Sequence, residues 1–256
     1  MDSIRDAVRS RYARTAIQMQ ETGRCCDSAC CGGTDAISGP IHEADYVTSE
    51  LAEVGLTTGA SLGCGNPTAL AELHPGEIVL DLGSGAGLDV LLSARRVAPD
   101  GHAYGVDMTD EMLALANANK AKAGIQNATF LKGTIEAVPL PDASTDVVIS
   151  NCVINLAADK SAVLREAFRV LRPGGRLAVA DMVEVEPLPA EVKGALDAWS
   201  GCVAGTIPVA AYESALVSAG FVDLEVEITQ TFGPGEAGLP AGDGKIASAY
   251  IRARRP

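Results

Sequence analysis

From residue 77 onward the sequence alternates short apolar runs with amphipathic segments, and this alternation constrains the fold more than any other feature. The apolar runs read EIVLDL, HAYGVD, ATFLK, DVVISN and RLAVADM. A helical pattern follows each of the first two runs and separates the last two. Strands that alternate with helices form a parallel sheet with right-handed crossovers. The sequence therefore predicts an α/β fold with helices on both faces of a mostly parallel sheet.

The C-terminal part departs from this alternation. Residues 184–205 interrupt it with a stretch rich in Pro, Gly and Ala, and a helical pattern resumes over 210–220. Strand patterns follow over 222–231 and 246–253. The link between these two strands is rich in Gly and too short for a helical crossover, so we expect the two strands to pair antiparallel.

The N-terminal part predicts a helix over 2–20 and a second helix over 43–55, on either side of a loop over 21–40 that is rich in Cys and Gly. The first helix is expected to present one apolar face, formed by Ile4, Val8, Tyr12 and Ile17.

Charge and composition exclude several classes of partner. The chain has 20 basic and 33 acidic residues and a net charge of −13, which would repel a nucleic-acid backbone. It contains no apolar run of the roughly 20 residues needed to span a bilayer, and its N-terminus lacks the apolar region of a signal peptide. We therefore expect a cytoplasmic protein with mostly reduced cysteines. Seven cysteines in a reducing compartment indicate metal chemistry, catalysis or redox sensing. No oligomeric state is predicted.

A glycine loop follows the first strand. It reads DLGSGAG from Asp81 to Gly87 and has the spacing G-x-G-x-G, whereas dinucleotide-binding loops have G-x-G-x-x-G. Asp81 at the strand end disfavours a nearby phosphate and would suit an ammonium group. Asp107 at the end of the second strand can accept hydrogen bonds from two ribose hydroxyl groups. A dehydrogenase-like fold remains the alternative interpretation of this loop.

The loop, the Thr134-Ile135-Glu136 segment after the third strand and the phrase RVLRPGGRLAV together resemble class I methyltransferases. This resemblance implies a Rossmann-like fold with seven strands, the last two antiparallel, and S-adenosylmethionine as cofactor. The cofactor-binding residues that it implies are Asp81, Gly83, Ser84, Gly85, Gly87, Asp107, Met108, Ile135, Glu136 and Asn151.

Three separated cysteines occupy marked positions: Cys64 in a glycine turn, Cys152 at the end of the fourth strand and Cys202 after the fifth. Methyl transfer to oxygen or nitrogen usually needs a base near the fourth strand, and the three histidines of the chain lie elsewhere. Three converging thiols would form a soft site instead. Trivalent arsenic prefers three sulfur ligands and keeps a lone pair that needs no base. Each cysteine alone also fits a small buried apolar residue.

The segments SLGCGNP, ISNCVINL and WSGCVAG are similar to those of bacterial arsenite methyltransferases. The similarity implies that Cys64, Cys152 and Cys202 bind As(III) and that arsenite or its thiol conjugates are methylated for detoxification. It also implies a thiol reductant, glutathione or a thioredoxin system, as co-substrate. The alternatives are a small-molecule C- or O-methyltransferase with a quinone-like or sterol-like acceptor, and a metalloid-binding protein without catalysis.

The remaining cysteines lie in RCCDSACCGG near the N-terminus. The resemblance favours arsenic handling or redox exchange, including a disulfide with the turn cysteine. The spacing also permits a zinc site assisted by His42. The remaining alternative is that this segment has no defined role. These accessory candidates are Cys25, Cys26, Cys30 and Cys31.

We expect three parts in the chain. Residues 1–70 would form a helical, Cys-rich segment that packs over the active site, and residues 71–183 the S-adenosylmethionine-binding core. Residues 184–256 would hold an arsenic-binding insertion, at about 184–209, followed by the last helix and the antiparallel strand pair.

Overall fold

The computed structural model describes residues 2–22, 46, 48–56, 63–195, 199, 202–237, 239 and 244–256. The strands are β1 (Ile78–Leu82), β2 (His102–Asp107), β3 (Ala128–Lys132), β4 (Thr145–Asn151), β5 (Leu171–Glu186), β6 (Val222–Phe232) and β7 (Lys245–Arg254). The helices that the described ranges contain are α1 (Asp2–Thr22), α2 (Thr48–Val54), α3 (Pro67–Leu70), α4 (Leu88–Val97), α5 (Asp110–Ala123), α6 (Lys160–Val170), α7 (Ala190–Gly194) and α8 (Val209–Ala219).

All seven strands form one sheet in the order β3-β2-β1-β4-β5-β7-β6. Strands β1 to β5 pair in parallel, and β7 lies antiparallel to both β5 and β6. This arrangement confirms the predicted seven-stranded α/β fold. None of the described helices is both long and apolar enough to cross a lipid bilayer.

The sheet separates two apolar cores. One core contains the side chains between the sheet and helices α6 and α8, including Leu164, Tyr212 and Leu216. The other contains those between the sheet and helix α4, including Leu91 and Val97. Val79, Val147 and other β-branched residues of the central strands are fully buried, as expected for strands covered on both faces.

Local signals define the helix ends. The Asp159 side chain accepts a hydrogen bond of 2.9 Å from Ala162 N and caps α6. Thr109 occupies the N-cap of α5 as predicted, but its side chain makes no capping hydrogen bond. Its main-chain N–H donates instead to the Asp107 carboxylate at 2.8 Å. Gly124 ends the same helix in the left-handed conformation.

Helix α1 packs on a third apolar cluster, which lies at the carboxyl ends of the strands. Val8 belongs to this cluster and Ile4 and Tyr12 pack against it, so these three residues share one apolar face, as predicted. Ile17 is 47% exposed, so its predicted place on the same face is wrong. The step from residue 12 to residue 17 is longer than one helical turn and rotates the side chain away from that face. Buried Ala16 and Met19 continue the packing instead.

Two N-terminal predictions are tested only in part. The second helix spans Thr48–Val54, within the predicted 43–55. Most of the predicted loop over 21–40 lies outside the described residues, and Thr22 still belongs to α1.

Candidate active site

A cavity of about 350 Å³ opens at the carboxyl ends of the parallel strands, where open α/β sheets bind their ligands. Most of the residues predicted to bind the cofactor line it: Asp81, Gly83, Ser84, Gly85, Asp107, Met108, Ile135, Glu136 and Asn151. The ends of β1, β2 and β4 and the segment after β3 therefore all border this cavity.

Gly87 is not among the lining residues. It is the N-cap of α4 with φ of 89°, and a Cβ atom there would lie 2.6 Å from Cζ of Phe130. A side chain at this position would therefore separate the loop from strand β3. The geometry gives Gly87 a packing role in shaping the loop, whereas the sequence predicted a ligand contact.

Asp107 is held in place by the glycine loop. Its Oδ2 atom accepts a hydrogen bond of 3.0 Å from Gly85 N, and its Oδ1 atom accepts one of 2.8 Å from Thr109 N. Burial raises the pKa of this carboxyl group, and the hydrogen bonds from Thr109 and Gly85 oppose that rise. Asp107 lines the cavity, where an ionised carboxylate can accept hydrogen bonds from ligand hydroxyl groups.

Two more buried carboxyl groups face the same cavity. Asp81 is 3% exposed, and burial together with the charges of Asp89 and Asp107 raises its pKa well above the usual range. Burial raises the pKa of Asp89 to about 6, and hydrogen bonds from Tyr46 Oη at 2.6 Å and Asn151 Nδ2 at 3.2 Å limit the rise. A cationic ligand would stabilise the ionised form of these groups.

These residues fit S-adenosylmethionine. Its sulfonium and ammonium charges suit Asp81 and Asp89, and its ribose hydroxyl groups suit Asp107. Ser84 Oγ is buried in the cavity wall and has no hydrogen-bond partner within the described part of the chain. Buried polar atoms are normally paired, so this hydroxyl group is available for a ligand acceptor such as a carboxylate.

Asn151 fixes the turn that carries Cys64. Its Oδ1 atom accepts a hydrogen bond of 2.8 Å from Cys64 N, and its Nδ2 atom donates to Gly65 O at 2.7 Å. A Cβ atom at Gly63 would overlap the Asn151 side chain, so only glycine allows this approach. Asn151 was predicted as a cofactor residue, and it also brings the turn to the end of β4.

Cys64 and Cys152 are joined by a disulfide, with a Cα–Cα distance of 5.7 Å. The sequence predicted mostly reduced cysteines and three free thiols at this site. The difference follows from the Asn151 contacts, which hold the two cysteines at bonding distance. Of the two, Cys152 also lines the cavity.

Cys202 completes the cluster as a free, buried thiol. It packs in the same apolar cluster as Cys64 and Cys152. Burial raises the pKa of the Cys202 thiol to about 12, and the nearby charge of Asp181 adds a smaller rise. A hydrogen bond with the Tyr12 hydroxyl group acts in the opposite direction and lowers this pKa. The structure therefore places the three cysteines that the sequence singled out in one apolar cluster. The ligand atoms found within 4.8 Å of one another in the described residues are those of Cys64, Cys152 and Asp181, without Cys202.

Helix α1 covers the cavity. Arg5, Val8 and Tyr12 line it, and Arg5 forms an ion pair of 3.3 Å with Glu136. Glu136 is one of the predicted cofactor residues. The first helix is thus connected to the cofactor side of the cavity through Arg5 and to the cysteine side through Tyr12.

Comparisons with known proteins agree with this geometry. A family model described as a methyltransferase domain matches residues 73–234. An arsenite methyltransferase from Halobacterium salinarum is 42% identical, and the match covers 100% of this chain and 67% of that protein. The chain belongs to the arsenite methyltransferase family.

Two further members of the arsenite methyltransferase family match it. One, from Aquipseudomonas alcaligenes, is 34% identical over 97% of this chain and 71% of its own length. The other is a crystal structure of an arsenic(III) S-adenosylmethionine methyltransferase from Chlamydomonas reinhardtii. It superposes with a TM-score of 0.66 at 34% identity, covering 82% of this chain and 71% of that one. The predicted family and fold are confirmed.

Several residues at this site of the arsenite methyltransferase were missed by the sequence interpretation. Asp89 lies in a helix and Asp181 in a strand, and both side chains are buried. The available sequence signal for each was a single acidic residue within an otherwise apolar pattern. Tyr46 and Arg5 gave no signal, because their contacts depend on how distant segments pack.

The accessory cysteines stay untested. Cys25, Cys26, Cys30 and Cys31 lie outside the described residues, as does His42. Arsenic handling, redox exchange and zinc binding therefore remain predictions for that segment.

Proposed function

We propose that this chain transfers a methyl group from S-adenosylmethionine to trivalent arsenic bound by Cys64, Cys152 and Cys202. One observation carries the proposal: the three cysteines lie in one apolar cluster, and Cys152 also lines the cavity that most of the predicted cofactor residues line. Membership of the arsenite methyltransferase family supports the same activity.

The residues present suit arsenic chemistry. Thiolates are ligands for soft ions, and arsenic bound by three sulfur atoms keeps a nucleophilic lone pair. When bound, S-adenosylmethionine would supply an electrophilic methyl group. The contribution of the chain is to hold arsenic beside the cavity and to exclude water with α1, so that catalysis is mainly positioning.

A reductant belongs to this proposal. Cys64 and Cys152 share a disulfide and offer no thiolate until it is reduced. A dithiol of the thioredoxin class, or glutathione, would supply two electrons and two protons to free both sulfur atoms. Arsenite, or its thiol conjugate, would then exchange onto the three cysteines. The cytoplasm is the compartment that supplies such reductants.

The division of the chain into three parts also remains a proposal. Val8 and Tyr12 pack with the apolar cluster that contains Cys64, Cys152 and Cys202, which supports an N-terminal segment that packs over the site. The position of Cys202 between β5 and α8 supports an arsenic-binding role for the insertion.

The alternative acceptors receive less support. An oxygen acceptor needs a group that takes its proton, often His, Asp or Tyr. Neither His74 nor His102 lines the cavity. The buried carboxyl groups of Asp81 and Asp89, which do line it, suit a cationic ligand that would stabilise their ionised forms.

The test uses the full chain with isotopically labelled S-adenosylmethionine, arsenite and an excess of dithiol, followed by arsenic speciation. We expect labelled methylarsenic species. The Cys152→Ser and Cys202→Ser variants should lose this product while they bind S-adenosylmethionine with unchanged affinity by calorimetry. Methylation by Cys152→Ser at low thiol concentration would refute the ligand assignment. Cofactor binding with no methylated arsenic at any thiol concentration would refute the activity.

A further inference from the structure

Asp181 is a buried carboxylate beside the cysteine pair, and the proposed methyl transfer does not use it. It lies on β5 and is 0% exposed. The Sγ atoms of Cys64 and Cys152 and a carboxylate oxygen of Asp181 all lie within 4.8 Å of one another. The two sulfur atoms are joined in the disulfide, and once that bond is reduced they and the oxygen atom are near enough to share one ion.

The two oxygen atoms of Asp181 differ. Oδ1 accepts hydrogen bonds from Asn155 Nδ2 at 2.7 Å and from Met182 N at 2.9 Å. Oδ2 is buried and has no hydrogen-bond partner among the residues that the structure describes. Leaving a buried carboxylate oxygen unpaired is costly, so such an atom needs an explanation. Oδ1 anchors the side chain, and Oδ2 is left free for a ligand.

We propose that, once the disulfide is reduced, Cys64, Cys152 and Asp181 form a binding site for a divalent thiophilic cation of the class of Zn²⁺ and Cd²⁺. This cation would compete with arsenic for the two sulfur atoms. The competition rests on the proposed function, whereas the cation site itself does not.

The charges support this assignment. Two thiolates and one carboxylate carry three negative charges, and a divalent cation neutralises two of them. The part-buried ammonium group of Lys160, which acts electrostatically on Asp181, supplies one more positive charge. Cysteine sulfur and aspartate oxygen are both ordinary zinc ligands. Arsenic takes sulfur and gains little from the carboxylate, so Asp181 favours the divalent ion.

The site must first be opened. A phosphine reductant breaks the S–S bond, becomes a phosphine oxide with oxygen from water, and leaves one hydrogen atom on each sulfur. Binding of the cation then releases the two thiol protons to the buffer, and two metal–sulfur bonds form.

The first experiment measures the cation directly. The full chain, with Cys25, Cys26, Cys30 and Cys31 changed to serine, is reduced with phosphine and freed of reductant by anaerobic gel filtration. It is then titrated with Cd²⁺, following the ultraviolet sulfur-to-cadmium charge-transfer band, with metal analysis after equilibrium dialysis. We expect one Cd²⁺ per chain, and none before reduction. A reduced protein that binds arsenite but no Cd²⁺ would overturn the site.

The matched variant is Asp181→Asn in the same background. Asparagine keeps an acceptor for Asn155 and Met182 and replaces only the unpaired oxygen. We expect Cd²⁺ affinity to fall about tenfold or more. Arsenite affinity should fall much less. Equal Cd²⁺ affinity in both proteins would overturn the role of the carboxylate. Retained binding of S-adenosylmethionine shows that the variant is folded, and Cys64→Ser offers a second variant that should also lose Cd²⁺.

The competition has its own measurement. In the serine background, Zn²⁺ should raise the arsenite concentration needed for half-maximal methylation. With Asp181→Asn added, the Zn²⁺ concentration that produces the same rise should be more than about tenfold higher. Inhibition that is identical in the two proteins would overturn the competition. If Cd²⁺ binds as expected but arsenite is never methylated in cation-free buffer, the proposed function fails and the cation site stands.

Discussion

The Sγ atom of Cys202 donates a hydrogen bond of 3.0 Å to the main-chain carbonyl oxygen of Cys152. Both residues have left-handed backbone conformations, with φ of 64° and 59°. A residue with a Cβ atom in this region costs on the order of 1–3 kcal/mol, and such residues cluster at functional sites. The packing around the two cysteines therefore holds them in place against a local conformational preference.

Tyr12→Phe should weaken arsenic binding by about five- to tenfold, the effect of a lost hydrogen bond of about 1 kcal/mol. Burial raises the pKa of Cys202 to about 12, and the Tyr12 hydrogen bond opposes that rise. Without the hydroxyl group the thiolate is harder to form. Trp199 is the single tryptophan of the chain, and its carbonyl oxygen accepts the Cys202 N–H at 3.1 Å. Its fluorescence during an arsenite titration is therefore the measurement.

The control for this change is Tyr104→Phe. Tyr104 lies on β2 and packs against the core between the sheet and helices α6 and α8. The three cysteines belong to a different apolar cluster. Loss of the Tyr104 hydroxyl group should leave arsenite affinity unchanged. Equal effects of the two substitutions would show that the Tyr12 hydroxyl group does not support Cys202.

The affinity for S-adenosylmethionine should fall as the pH is lowered through about 6. Asp89 has a pKa raised to about 6 by burial, and only its ionised form attracts a cationic ligand. Tyr46 donates a hydrogen bond of 2.6 Å to Asp89 and so lowers this pKa. Tyr46→Phe should therefore move the inflection to higher pH. Calorimetric titrations from pH 5 to pH 8 measure both curves. An inflection that stays in place, or moves to lower pH, would contradict the role of Asp89.

Arg5→Ala should weaken cofactor retention by about two- to fivefold, because half-exposed ion pairs contribute at most about 1 kcal/mol. Arg5 lines the cavity and pairs with Glu136 at 3.3 Å. Arg9 offers a matched control on the same helix, since it pairs with Asp6 at 3.0 Å and does not line the cavity. The dissociation rate of labelled S-adenosylmethionine should rise in the Arg5 variant and stay unchanged in Arg9→Ala. Equal rates would exclude a closing role for Arg5.

The sheet could be predicted from the sequence because its signals are local. Alternating strands and helices define the parallel part, and the short link before β7 requires the antiparallel end. The same holds for the glycine loop, whose conformation depends on Gly83 and Gly85 having positive φ. Ile17 shows the limit, since a small error in helical phase put it on the wrong face.

The cysteine site could be predicted only as a set of residues. The state of Cys64 and Cys152 depends on the side chain of Asn151, a contact between segments far apart in the chain. The role of Tyr46 depends on its hydrogen bonds with Asp89 and Asn151, and that of Asp181 depends on a buried oxygen atom without a partner in the described residues. Burial and long-range hydrogen bonds are set by packing, and therefore appear only in the structure.

Gly63→Ala should disconnect Cys64 from Cys152. A Cβ atom there would overlap the Asn151 side chain, which receives the Cys64 N–H at 2.8 Å. Moving the turn to relieve this overlap separates the two sulfur atoms. We expect two additional reactive thiols under air oxidation, weaker arsenite binding and a loss of about 1–3 kcal/mol in the free energy of unfolding. Thiol counting in denaturant and urea unfolding measure these effects.

Gly194→Ala is the matched control. A Cβ atom at Gly194 meets no heavy atom within 4 Å in the described structure, and the residue ends the short helix α7. This variant should keep the wild-type thiol count and arsenite affinity. If Gly63→Ala also keeps the disulfide and binds arsenite as tightly as Gly194→Ala, the close approach of Gly63 to Asn151 does not position Cys64.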